Sequence, residues 1–244
     1  YRSTNNGINW TSIYLFSQTV QSLAVNGNTV FAGTYLTGIY KSTNNGTNWT
    51  QTSVNNRTVY AVVINGNNIF AGTRYFGVYL STNNGTTWTQ TSFYNQEVHS
   101  IAINGNDVFA GTFDYGVYKS TDGGVTFTAM SNGLPATIVN EIVASPDERF
   151  IFAATDAGPY AYVVAENMWY TLTDATVPIQ NFVSVEYIRS ENVVRFATYG
   201  RGVWDLKISA PLPVTISQWE AQKSNNTVVC QWTTEQEINT ASFT

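Results

Sequence analysis

One stretch of sequence is written three times in tandem with few changes. Residues 20–53 read VQSLAVNGNTVFAGTYLTGIYKSTNNGTNWTQTS, residues 59–92 read VYAVVINGNNIFAGTRYFGVYLSTNNGTTWTQTS, and residues 98–131 read VHSIAINGNDVFAGTFDYGVYKSTDGGVTFTAMS. The period is 39 residues, set by Asn26, Asn65 and Asn104. A tandem repeat of this length must use one supersecondary unit over and over, stacked so that neighbours bury each other. A half copy, Ser3 to Trp10, opens the chain in the same register, and two weaker copies follow at about 139–173 and 182–208.

Each copy reads as four short strands. Val20–Val25 is apolar and β-branched and stops at Asn26-Gly27-Asn28, the strongest short hairpin signal because Asn and Gly accept positive φ. Thr29–Thr34 follows, then a short connection, then Gly38–Ser42. The loop Thr43–Thr47 leads to a fourth strand near Trp49. No segment carries a helical period. A repeated four-stranded unit of about 40 residues is a propeller blade. The fold class expected is therefore all-β: a β-propeller of four-stranded blades over 1–208, with a partial β-sandwich segment after it. The blade boundaries fall at about 17–55, 56–94, 95–135, 136–178 and 179–208. Residues 1–16 then supply a strand near Trp10–Leu15 to close the last blade. Five blades is the favoured count. A longer parent of six to eight stays open, because Tyr1 and Trp204 claim the same strand position.

Composition excludes several function classes. Charged residues are 11% of the chain, against roughly a quarter in ordinary domains. Asn, Thr and Gly take their place, largely in the repeated turns. Net charge is −5 with no basic cluster, which argues against a nucleic-acid partner. No apolar run is long enough for a membrane span. One Cys and one His leave no disulfide framework and little for a zinc site or His-based catalysis. No cofactor and no metal are expected.

The loop Ser42-x-Asn44-x-Gly46-x-Asn48-Trp49 resembles the Asp-box of bacterial neuraminidase repeat (BNR) propellers. Ser81, Asn83, Gly85 and Trp88 match it again, as do Ser120, Asp122, Gly124 and Phe127, where the acid itself is present. The resemblance implies a scaffold role for these residues. Short Ser and Asn/Asp side chains bond loop amides, Gly takes a left-handed turn, and the Trp packs between sheets. It covers about 1–208, and it implies the fold far more than the function. Related propellers include sialidases, sortilin-like receptors, xyloglucan-degrading enzymes and photosystem assembly factors. A sialidase would need three Arg on one site and an Arg-Ile-Pro motif. The motif is missing, and only Arg74, Arg195 and Arg201 are placed to meet. Asp114 and Asp156 are the best pair for a two-carboxylate glycosidase.

The chain changes character after 208. "LPV…W-T-T…E-I-N" over 212–239 resembles the opening of fibronectin- or Ig-like modules in Bacteroidetes proteins of type IX secretion. That resemblance implies a secreted or cell-surface protein.

Comparing the copies separates scaffold from variation. The Asn-Gly turns and the Ser-x-Asn-x-Gly loops barely vary, and alternating hairpins put both on one face. The opposite face carries what varies: Tyr35, Arg74, Tyr75, Phe76, Phe113, Asp114, Tyr115, Asp156, Tyr199 and Arg201 between strands two and three. The openings of the inner strands vary too, at Gln21, Tyr60, His99, Asn140 and Val183. A face rich in Tyr, Phe and Arg suits stacking on sugars or an anchor surface for protein. The function expected is a non-catalytic adhesion or carbohydrate-binding module for glycan or extracellular protein. The alternatives are an assembly subunit of a surface structure and a glycosidase-type propeller. An open arc of blades would also expose strand edges and invite self-assembly.

Overall fold

The computed structural model describes residues 1–13, 18–130, 132–173, 177, 179–208, 216–224 and 227–234, the last two stretches as backbone only. Strands dominate, and a single 3-10 turn, Val164–Glu166, is the only helical element among the described residues. Five antiparallel sheets follow one another as blades, each paired strand to strand in chain order. Blade 1 is Val20–Asn26, Thr29–Thr34, Gly38–Ser42 and Thr50–Gln51. Blade 2 is Val59–Asn65, Asn68–Thr73, Gly77–Ser81 and Thr89–Gln90. Blade 3 is Val98–Asn104, Asp107–Thr112, Val117–Ser120 and Thr128–Ala129. Blade 4 is Val139–Ala144, Phe150–Thr155, Gly158–Val163 and Met168–Thr171. Blade 5 is Phe182–Ile188, Val193–Thr198 and Val203–Lys207. An antiparallel hairpin, Ile216–Ser224 with Thr227–Thr234, stands where the second module was expected. The rest of that module lies outside the described residues.

The repeat sets the joints as well as the strands. On one side of each sheet a row of three residues crosses the first three strands in register. Ala24, Phe31 and Lys41 form it in blade 1, and Val63, Phe70 and Leu80 in blade 2. The next blade answers with the opposite side of its own sheet: Val59, Val62 and Ile69 pack on Phe31, Ile39 and Val54 in one buried cluster. Blades 2 and 3, 3 and 4, and 4 and 5 repeat this with their own clusters. Each joint buries several large apolar side chains, at about 1.5–3 kcal/mol apiece, where one sheet alone would leave both faces wet.

The Ser-x-Asn/Asp-x-Gly loops are wired as their spacing requires. Ser42 Oγ accepts the Gly46 amide at 2.9 Å, and Asn44 Oδ1 accepts the Asn48 amide at 2.9 Å. Ser81 and Asn83 repeat this pattern, as do Ser120 and Asp122. The loop then bonds the Asn-Gly turn beside it, Asn45 N to Asn28 O at 2.9 Å and Asn84 N to Asn67 O at 3.0 Å. Both conserved features therefore do share one face. Asp122 gains a further bond from the Thr126 hydroxyl, and these donors hold its carboxyl well below the usual range. Gly85 and Gly124 are forced twice. Each has a left-handed φ, and a Cβ would stand 2.4 Å from Phe31 or Phe70 of the preceding blade.

Among the described residues no N-terminal strand pairs with the outer edge of blade 5. Blade 5 has three strands among the described residues, with none paired outside Val203–Lys207. Instead Arg2 and Thr11 bridge each other, and Arg2 Nη1 donates to Thr47 Oγ1 of blade 1 at 3.0 Å. The described N-terminal residues are thus engaged beside blade 1. The end face of blade 5 carries a cross-strand row of Glu186, Arg195 and Asp205, where the rows of blades 1 to 4 have Phe31, Phe70, Phe109 and Phe152 at their centres. Arg195 makes a two-pronged bond to Asp205, both contacts 2.7 Å.

Candidate binding face

Every inner strand carries a bulge at its second residue. The register skips Gln21, Tyr60, His99, Asn140 and Val183, the five positions whose identity varies between copies. A bulge removes one residue from the ladder and re-aims its side chain. All five line a single cavity of about 440 Å³, together with Ser22, Ser100, Glu141 and Ser184. Its wall is stitched by side chains reaching the next blade. Ser22 Oγ accepts the Val62 amide at 2.9 Å, Ser100 Oγ the Ile142 amide at 3.0 Å, and Glu141 Oε2 the Val185 amide at 2.9 Å.

On blades 2 and 3 the variable residues are bonded together around Tyr60 and His99. Tyr60 Oη donates to Glu97 Oε1 at 3.2 Å, and His99 Nε2 lies 3.2 Å from the same oxygen. Arg74 Nε stands 3.9 Å from Glu97 Oε2, and Arg74 Nη2 donates to Tyr75 Oη at 2.9 Å. The His99 ring meets Tyr60 edge-on at 4.8 Å and lies 5.3 Å from Phe113. Burial, and then the Glu97 carboxylate, push the Tyr60 hydroxyl above its ordinary range. Glu97 is the residue that sequence reasoning missed. Its backbone carbonyl accepts Phe113 N, as Thr19, Thr58 and Ile138 accept at the same place in other blades, so its position looks like scaffold. The usable signal was an acid where the other copies have Thr, Ile or Asn.

The remaining expected residues divide. Tyr35, Tyr75, Phe76, Phe113, Tyr115 and Tyr199 are exposed aromatics. Two of the rings are already covered on one side by cations: Arg57 sits 4.4 Å over Phe76, and Arg74 4.8 Å over Tyr75. Tyr75 holds a left-handed φ of 66°, an uncommon conformation for a bulky residue. Asp114 is exposed and makes no described bond. Asp156 accepts from the Thr137 hydroxyl and from the Ile138 amide at 3.0 Å, so it is spent on the connection that enters its own blade. No described bond joins the two acids. Arg201 is exposed, its amide held by Thr198 Oγ1 at 3.2 Å. Arg195 faces Asp205 on the end of blade 5 and does not join Arg74. Among the described residues no cluster of three or more His, Cys, Asp or Glu is spaced to hold a metal, and no helix is long and apolar enough to cross a membrane.

The architecture is that of a β-propeller, and solved structures of that class match it. An ancestral GH74 enzyme superposes with a TM-score of 0.63 at 23% identity, over 73% of this chain and 27% of that one. YCF48 bound to D1 peptide matches with a TM-score of 0.62 at 14% identity, over 81% of this chain and 68% of that one. The extracellular domain of the hybrid two component system BT4673 from B. thetaiotaomicron gives 0.62 at 17%, over 83% and 28%. The chain thus spans about a quarter of the GH74 enzyme and of BT4673. No protein-family model matches it, and no curated protein matches it.

Proposed function

We propose that this chain is a non-catalytic binding module that recognises glycan or extracellular protein through the variable face of blades 1 to 4. One observation carries the reading. Residues that differ between otherwise near-identical copies, Tyr60, Arg74, Tyr75, Glu97, His99 and Phe113, converge on one contact cluster, of which Tyr60 and His99 also line the cavity. A scaffold role does not need those positions to diverge, since the same backbone bonds recur whatever the side chain. Exposed rings flanked by Arg and Glu give apolar area with polar rims, the composition of sugar platforms and of protein anchor sites. YCF48 is recorded with a peptide, which supports protein recognition on this architecture. The Ser-x-Asn/Asp-x-Gly loops support membership of the BNR/Asp-box propellers. The "LPV…W-T-T" run, with the extracellular BT4673 neighbour, supports an extracellular site of action.

The test is a glycan array and a pull-down from extracellular protein, run with the parent chain and with Tyr75→Ala/Tyr115→Ala. Both side chains are exposed, so the variant keeps the fold. Signal on the parent that falls at least about tenfold in the variant supports the reading; each anchor ring carries on the order of 1 kcal/mol or more. Unchanged binding refutes it.

A further inference from the structure

We propose that the cavity enclosed by the inner strands binds a primary ammonium group, at the wall formed by Asn140, Glu141 and Ser184. This is a site apart from the aromatic face, since none of the exposed rings of that face lines the cavity.

The third residue of each inner strand follows the bulge. Ser22, Ala61, Ser100, Glu141 and Ser184 hold this place in blades 1 to 5. Ser22 and Ser100 each accept one amide of the next blade, at 2.9 and 3.0 Å, and Ala61 has no group to do so. A joint therefore needs at most a hydroxyl here. Glu141 does the same work through Oε2 alone, which accepts the Val185 amide at 2.9 Å. It also brings a negative charge that the joint does not use. Among the described residues Glu141 forms no ion pair, and no Lys or Arg lines the cavity. His99 lines it, but its Nε2 lies against Glu97 Oε1 at 3.2 Å.

The hydrogens around this carboxylate are already committed. Ser184 donates its hydroxyl to Glu141 Oε2 at 2.6 Å. Asn140 donates from Nδ2 to Phe182 O at 2.7 Å and to Asn181 Oδ1 at 2.9 Å. What remains at the wall is acceptor capacity: Glu141 Oε1, Asn140 Oδ1 and the lone pairs of Ser184 Oγ, none of which receives a bond from a described residue. The complement of a half-buried, unpaired carboxylate beside neutral acceptors is a cation with several N–H donors. A guanidinium prefers both oxygens of a carboxylate, and Oε2 is taken twice. Calcium needs six to eight oxygens, usually with several carboxylates, and Glu141 is the only carboxylate among the lining residues. An ammonium is a compact charge with three donors, and the cavity of about 440 Å³ has room for its alkyl stem.

The test is a heteronuclear NMR titration with Nα-acetyl-lysine methylamide, its neutral norleucine counterpart, n-butylammonium chloride and potassium chloride, all at fixed ionic strength. The lysine probe is expected to shift the amides of 140–142 and 183–185 saturably, and the norleucine probe to leave them in place. Glu141→Gln keeps an oxygen for the Val185 amide and removes the charge. It is expected to weaken the lysine probe about tenfold or more, with the melting temperature kept. Glu141→Ser repeats the residue of blade 3 and is expected to show the same loss, which covers a Gln variant that folds poorly. Tyr75→Ala/Tyr115→Ala is expected to bind the probe unchanged, so failure of this site and failure of the aromatic face are read separately. Tighter binding of the lysine probe than of n-butylammonium assigns the site to a lysine of a protein ligand, and equal binding assigns it to a free amine; both uphold ammonium recognition. The proposal is overturned by saturation with the norleucine probe, by potassium binding as well as the ammonium probes, by full affinity in the folded Glu141 variants, or by no saturable shift at all.

Discussion

Gly85→Ala separates two physical effects that the repeat combines at one position. The added methyl first meets a backbone held at φ +73°, which costs about 1–2 kcal/mol for a residue with a Cβ. It next meets the Phe31 ring of the preceding blade, with the Cβ 2.4 Å from Cε1 and 2.7 Å from Cζ. Phe31 is fully buried and cannot swing out, so the joint must open. Overpacking of this kind costs about 1–3 kcal/mol. Restricting the unfolded chain returns about 0.4–1 kcal/mol. The sum is a loss of about 2–4 kcal/mol. Gly66→Ala is the control. Its φ is +61° and a Cβ there meets nothing within 4 Å, so only the backbone cost, about 1 kcal/mol or less net, remains. Urea denaturation of the two variants measures the difference, expected at about 1–3 kcal/mol. Equal losses would show that the loop glycine is conserved for its turn alone, and would refute the claim that these loops lock one blade to the next.

Other outcomes follow from the same geometry. Tyr75→Gly relieves a left-handed tyrosine and is expected to stabilise the fold by about 0.5–1 kcal/mol while weakening ligand capture by about fivefold, read by thermal melting and the glycan array. Phe31→Ala empties the blade 1–2 joint and is expected to cost about 3–5 kcal/mol in urea denaturation. Glu97→Gln removes the second cause of the raised Tyr60 hydroxyl, so ultraviolet titration is expected to find that tyrosine ionising at lower pH, with burial keeping part of the shift. Asp122 ionises below its unfolded value, so its stabilising contribution is complete above about pH 4 and shrinks as pH falls toward the folded value. The stability gap between the parent and Asp122→Asn is therefore expected to be constant from pH 7 to about 5 and to narrow in acid, measured by denaturant midpoints.

Much of this fold was legible because a repeat reports its own constraints. The strands Thr29–Thr34 and Gly38–Ser42, and the shared face of the Asn-Gly turns and Ser-x-Asn-x-Gly loops, follow from turn chemistry that recurs at a fixed period. The fourth strands lie where expected, directly after the loop Trp, and are only two residues long at Thr50–Gln51 and Thr89–Gln90. Strand counting left the character of blade 5's outer face unread, because it ignores what a sheet face presents. The decisive residues, Glu186, Arg195 and Asp205, sit at positions occupied by apolar side chains in blade 4, and only the cross-strand register brings the three into one row. At the candidate face, His99, Tyr60 and Arg74 stood out by differing from their counterparts. The bulge that turns Tyr60 and His99 toward the cavity has no sequence marker of its own. Asp114 and Asp156 seemed a pair by loop position, yet Asp156 serves the Ile138 amide, a local bond no spacing rule anticipates.

The variable face can be tested most directly by hydrogen exchange on the parent chain with a glycan returned by the array. Recognition through that face predicts slowed exchange at 74–76, 97–99 and 113–115, with 43–48 and 82–87 on the opposite side unchanged. Protection confined to 43–48 and 82–87, or equal protection on both sides, would contradict it.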